Sequence, residues 1–255
     1  MNDLDQLRSA MQELYRIFGR HPRPSMIEYC PCGCTKPEEV LPLLAAPLAD
    51  LRFERLGNYT FSAMTTQGSV DDFKYFLPRL LEGIAQEPYA YNPEILFGKL
   101  RYGKWLTWDE GEITAVRGYL RALWRSGLRA YPIEQSLPAF GEIETLLASL
   151  ASTGDRLASY LTIWDETAAQ EADQHLLQFV TMYGSDLSDG QVLSFGSWKN
   201  LPEQSKELRR WALKPETLRR INQSKQLLMK DGYEHLFGPA LEVLQAESIA
   251  PDSQH

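Results

Sequence analysis

Three cysteines fall within five residues, Cys30, Cys32 and Cys34, separated by Pro31 and Gly33. Thiolates so close together can ligate a metal ion, zinc first among them, and His21 is a further donor nearby in the sequence. Structural zinc, however, usually takes cysteines two to four residues apart together with a second pair, and this chain has no second pair. The other reading is a set of reduced thiols in a tight turn. Partners two residues apart close a strained ring, and an odd count leaves one thiol over, as expected of a chain kept in a reducing compartment.

Other chemistries fail at the level of spacing. The sequence contains no His-Glu-x-x-His, no Gly-x-Ser-x-Gly, no nucleotide-binding glycine loop and no Glu-x-x-His pair. The four histidines (His21, His175, His235 and His255) are scattered. The stretch SDLSDGQVLSFG resembles a calcium loop only until Gly190 is set at the turn, when Ser185, Leu187 and Gly196 fall where oxygen ligands belong. The expectation is a protein without a catalytic centre.

Charge is the remaining signal. Arg117, Arg121, Arg125 and Arg129 recur every four residues and so share one helix ridge. That ridge suits a phosphate or an acidic partner, and equally a solvated face whose aliphatic stems cover apolar neighbours. The net charge of −8 argues against general nucleic-acid binding. Residues 130–198 hold ten acids against the single base Arg156, a net of −9, whereas residues 206–230 hold eight bases against two acids, a net of +6. The acidic block, represented by Glu142, Glu144, Glu166 and Asp173, is suited to steer a basic protein partner into contact. Blocks of opposite sign can also pair with one another inside the fold.

The elements that must position these residues read as helices. Leu4, Leu7, Met11, Leu14 and Phe18 mark a first amphipathic helix that ends at Gly19. Pro37 opens a second, and Leu51 to Met64 reads as a third. Ser69, three residues ahead of Asp72, signals a capping box, and Val70, Phe73, Phe76, Leu77, Leu80, Leu81 and Ile84 line one face of the helix that follows. Pro78 interrupts its hydrogen bonding. Further helices are expected over residues 109–126 (stopping at Gly127), 139–152, 156–164, 165–183 (stopping at Gly184), 202–213, 215–229 and 233–244. Few alternating segments suit strands, so the fold class is all-α, an irregular array of antiparallel helix pairs or a solenoid-like version of one. The Gly-, Ser- and Asp-rich stretch 185–197 is the expected boundary between a main domain, 1–184, and a C-terminal segment packed on it, 198–255, the alternative being a single domain. No run is long and apolar enough for a bilayer, and the amphipathic, acid-bearing start is unlike a secretory signal, so a cytoplasmic location and no membrane partner are expected.

The stretch YTFSAMTTQGSVDDFKYFLPRLLE at Tyr59–Glu82, preceded by the cysteine cluster, and the closing pattern from Trp211 to Leu244 resemble an uncharacterised family of bacterial cytosolic helical proteins with a Cys-rich N-terminal segment. The resemblance implies a bacterial source and a helical fold, and it brings no activity or catalytic residues. Charge pattern and elimination then give the functional expectation: a non-catalytic protein-binding module, most concretely an immunity or antitoxin protein that neutralises a basic toxin. The alternatives are an adaptor or scaffold, and a metal-dependent enzyme built on the cysteine cluster.

Overall fold

The computed structural model describes residues 3–33, 35–87, 91–188 and 196–228. Within them the protein is all-α, with eleven α-helices joined by short 3-10 turns and loops. There is no strand among the described residues, only isolated bridges from Gln67 to Tyr29 and to Ala63. Nor is any described helix long and apolar enough to cross a membrane. The helices belong to two compact units, one of residues 1–127 and 133–155, the other of residues 128–132 and 156–255. This partition differs from the boundary expected at 185–197, because α8 and α9 below group with the helices that follow them.

The first unit begins with α1 (Asp3–Phe18), which buries Leu7, Met11, Leu14 and Phe18 at the expected spacing. Its Gly19 stop is steric, since a Cβ there would stand 2.7 Å from the Tyr15 carbonyl oxygen. A four-residue α2 (Pro37–Val40) and two 3-10 turns lead to α3 (Phe53–Ser62). Next comes α4 (Val70–Gln86), whose Ser69 accepts from the Asp72 N–H while Asp72 accepts from the Ser69 N–H, the reciprocal cap expected from the sequence. Pro78 lies inside α4 without ending it, because the residues on either side bury Phe73, Phe76, Leu77, Leu80, Leu81 and Ile84 completely. Burial on that scale, about 1.5–3 kcal/mol for each large apolar side chain, outweighs the roughly 3 kcal/mol that an internal proline costs.

Then follow α5 (Pro93–Tyr102), α6 (Glu110–Leu128) and α7 (Ile143–Ser152). The sequence reading passed over α5, although Asn92 caps it by accepting from the N–H groups of Glu94 and Ile95, with Pro93 at the first helical position. Helix α6 ends at Leu128, one residue past the expected stop at Gly127. That glycine is also an approach point, where a Cβ would stand 2.8 Å from Leu146 Cδ2. In this unit α1 packs on α4, α3 on α4 and α5, and α5 on α7. Polar tips of buried aromatics close the packing: Tyr91 donates to the Leu80 carbonyl, Tyr119 to that of Leu81 and the Trp105 indole to that of Thr153.

The second unit holds α8 (Leu157–Glu166), α9 (Gln170–Ser188), α10 (Pro202–Ala212) and α11 (Pro215–Leu228). Here α8 packs on α10, α9 on α11, and α10 on α11. Its core centres on Trp164, whose ring lies 5.1 Å from that of Trp211 and 6.2 Å from that of Phe179. Helix α9 runs past Gly184, the expected stop, because buried Leu187 extends its apolar face by another turn. The expected helix over 233–244 lies outside the described residues.

Candidate functional site

An open groove of about 570 Å³ runs between α1 and α4. Leu7 and Met11 form its apolar floor, and Leu4, more than half exposed, stands at one rim. Arg8, Gln12, Tyr15, Glu82, Gln86 and Ser136 supply its polar lining, Arg8 being exposed and paired with Asp5. The Tyr15 hydroxyl donates to Glu82 Oε2 at 2.5 Å, and Arg79 donates to the same oxygen at 2.7 Å. Arg79 is itself fixed by donating to the Leu51 carbonyl and by lying 3.9 Å over the Phe53 ring. Burial, with the Glu82 carboxylate beside it, pushes the Tyr15 phenol well above its ordinary value, so it stays a donor at any physiological pH. Glu82 Oε1 takes only a long bond, 3.3 Å, from Gln86. It therefore keeps acceptor capacity toward the groove. A volume of this size with an apolar floor and a few convergent polar groups is the usual form of a binding site.

A cluster of charge in the first unit lies where the segment after α1 meets α4 and α6. Glu112, its side chain 1 % exposed, accepts from Arg20 at 2.8 Å, Lys74 at 2.9 Å and the Asp109 N–H at 3.3 Å. His21 Nε2 stands 2.7 Å from the same carboxylate. Asp109 in turn accepts from the Gly111 N–H, so the start of α6 is capped from both directions. Lys74 also lies 4.7 Å over the Trp108 ring. Burial alone would raise the Glu112 carboxyl; the bonds from Arg20, Lys74 and His21 outweigh it and bring the carboxyl down to about 2. With both oxygens spoken for, the cluster ties the segment just after α1 to α4 and α6 and leaves the carboxylate no site to offer a substrate. Asp109-x-x-Glu112 ahead of an apolar run was the signal for it in the sequence.

The residues singled out by sequence have varied fates. Cys32 is exposed and Cys30 partly so, while Cys34 lies outside the described residues. His21, the suggested fourth donor for zinc, is turned to Glu112. Among the described residues no group of three or more His, Cys, Asp and Glu side chains is placed to hold a metal ion. Arg117 makes a two-pronged pair with Asp155, at 3.1 and 3.2 Å, and lies 5.5 Å over the Trp105 ring. Arg125 lines a polar groove with Gln6 and Arg16, and Arg121 is half-buried. Of the four acids, Glu144 is buried, Glu142 precedes α7 half-buried, Asp173 is bound by Arg220 at 2.7 Å and Glu166 is exposed. His175 is buried, with Nε2 2.7 Å from the Ala130 carbonyl oxygen.

Arg220 is the second unit's counterpart to the Glu112 cluster. Besides Asp173 it donates to the carbonyls of Trp164 and Thr167, at 2.6 and 2.9 Å, so its cation sits at the C-terminal end of α8 where the helix dipole favours it. No family model matches the chain, and no curated protein or solved structure matches it either.

Proposed function

We propose that the protein is a non-catalytic binding module that receives a basic, apolar-faced segment of a partner protein in the groove between α1 and α4. The groove itself carries this reading. Its floor of Leu7 and Met11 and its rim at Leu4 suit the apolar stripe of an amphipathic helix, while Glu82 Oε1 suits a lysine or arginine from that helix. A net charge of −8 favours a partner of opposite sign and quickens its approach. In its most concrete form the reading is an immunity or antitoxin protein that covers the working surface of a basic toxin.

The test is fluorescence anisotropy with a labelled amphipathic helix of leucine and lysine, set against the same pattern with glutamate in place of lysine. The basic peptide should bind and weaken with salt. Leu4→Asp and Gln86→Lys, both at exposed positions, should each weaken it about tenfold, equivalent to roughly 1.4 kcal/mol. Equal binding of the acidic peptide, or binding unchanged in both variants, would remove the groove as the site.

A further inference from the structure

Two charges of opposite sign line the groove between α1 and α4. Glu82 stands at the level of Tyr15, whose hydroxyl donates to it, and Arg8 lies two turns back along α1. Two turns amount to about 10 Å at 1.5 Å per residue. Met11 forms the floor between the two charges, and Leu4 stands one turn beyond Arg8. From Leu4 toward Tyr15 the groove thus presents an apolar, a positive, an apolar and a negative position in turn. Arg8 is the less committed of the two charges. Its side chain is 72 % exposed, and its 3.2 Å contact with Asp5 is an i,i+3 pair in open solvent, the weakest class of ion pair. A guanidinium has five donors, so Arg8 can take a second carboxylate without releasing Asp5.

We infer that Arg8 is a specificity-determining residue of this groove, where it receives a carboxylate that the partner helix carries seven residues ahead of the base bound by Glu82. The inference rests on the groove being the binding site. Positions i and i+7 of an α-helix share one face and lie about 10 Å apart, which is the spacing of Arg8 and Tyr15 along α1. Acid before base is the order that a helix's own dipole favours. The bound segment therefore runs in the direction of α1, with its aspartate or glutamate over Arg8, an apolar side chain over Met11 and its lysine or arginine at Glu82 Oε1. A helix that brought a base to Arg8 would be repelled there. The partner is accordingly basic overall yet carries one acid at a fixed place, which separates it from other basic amphipathic helices.

The experiment compares three labelled helical peptides, matched in helicity by circular dichroism, in fluorescence anisotropy on the full-length chain. The first has a leucine face, lysine at i+7 and glutamine at i. The second has glutamate at i. The third keeps glutamine at i and carries the glutamate at i+2, on the opposite side of the helix, so its net charge equals that of the second. The second should bind about threefold tighter than the third. Arg8→Gln should erase that difference, whereas Arg16→Gln, an exposed change on α1 outside this groove, should preserve it. Equal binding of the second and third peptides, or a preference that survives Arg8→Gln, overturns the inference and leaves the groove as the site so long as Leu4→Asp still weakens the first peptide. No binding of the first peptide, or binding indifferent to Leu4→Asp, overturns both.

Discussion

Replacing Glu112 by glutamine tests whether the buried carboxylate joins the segment after α1 to α4 and α6 in the way its bonds indicate. The side chain is 1 % exposed and its pKa falls from 4.5 to about 2 on folding. A fall of that size, at 1.36 kcal/mol per unit, is worth about 3 kcal/mol to the folded state at pH 7. Because the folded value lies below the unfolded one, the contribution is complete above pH 4.5 and drains away as pH falls toward 2. At pH 3 slightly less than half should remain, so the wild type loses roughly 2 kcal/mol from this group between pH 7 and pH 3. Glu112→Gln removes the charge but keeps the shape. Lys74 and His21, 14 % and 15 % exposed, are then left beside an uncharged amide. Urea unfolding followed by far-UV circular dichroism should show the variant about 3 kcal/mol less stable at pH 7. Its loss between pH 7 and pH 3 should be about 2 kcal/mol smaller than the wild type's. A variant within about 0.5 kcal/mol of wild type at pH 7, or one with the same acid dependence, would refute the reasoning.

Gly127→Ala should cost about 1–3 kcal/mol in the same urea assay, because its new methyl meets Leu146 Cδ2 at 2.8 Å and Ile133 Cδ1 at 3.3 Å in packed surroundings. Arg220→Leu should destabilise by about 3 kcal/mol, since two carbonyls at the end of α8 and the Asp173 carboxylate lose their donor together; Arg219→Leu, at an exposed i,i+3 pair, serves as a control and should change stability by under about 0.5 kcal/mol. Burial raises the phenols of Tyr15, Tyr59, Tyr91 and Tyr119. These groups favour the folded state less as pH climbs past the ordinary tyrosine value of about 10, so tyrosinate absorbance at about pH 11 should lack their signal until the chain unfolds, and then appear in one step with the loss of helix signal. Their smooth titration with the exposed tyrosines in folded protein would contradict the burial.

The helices were legible where apolar period and caps agreed. Ser69 with Asp72 marked the start of α4, and proline near the first position marked α10 and α11. Single glycines were an uneven guide. Gly184 has the sequence look of a helix end, yet α9 runs on to Ser188, whereas Gly127 does mark the end of α6 to within one residue and also makes room for Leu146 of α7. Helix α5 was not expected from the sequence, although Asn92 followed by Pro93 carries the signal of a helix start. Packing partners were not legible at all: α1 lies on α4 and α5 on α7, choices fixed by side-chain shape across the intervening segments.

Charge counting fared differently from periodicity, and the reason is physical. The count over residues 130–198 weighs every acid alike, but an acid offers its field to a partner only if nothing inside the protein uses it first. Asp155 is held by Arg117, Asp173 by Arg220 and Asp165 by the Trp211 indole, while Glu144 is buried. The −9 block and the +6 block thus spend part of their charge on each other, through Arg220 and Asp173 directly. Glu82, outside the acidic block, is also used internally, its Oε2 held by Arg79 and Tyr15, but its Oε1 takes only the 3.3 Å bond from Gln86 and so keeps acceptor capacity. It lies beside an apolar floor, so a cation reaching it would lose water as its stem gained contact, and a charge-assisted bond formed there is worth more than the same bond on an open helix face.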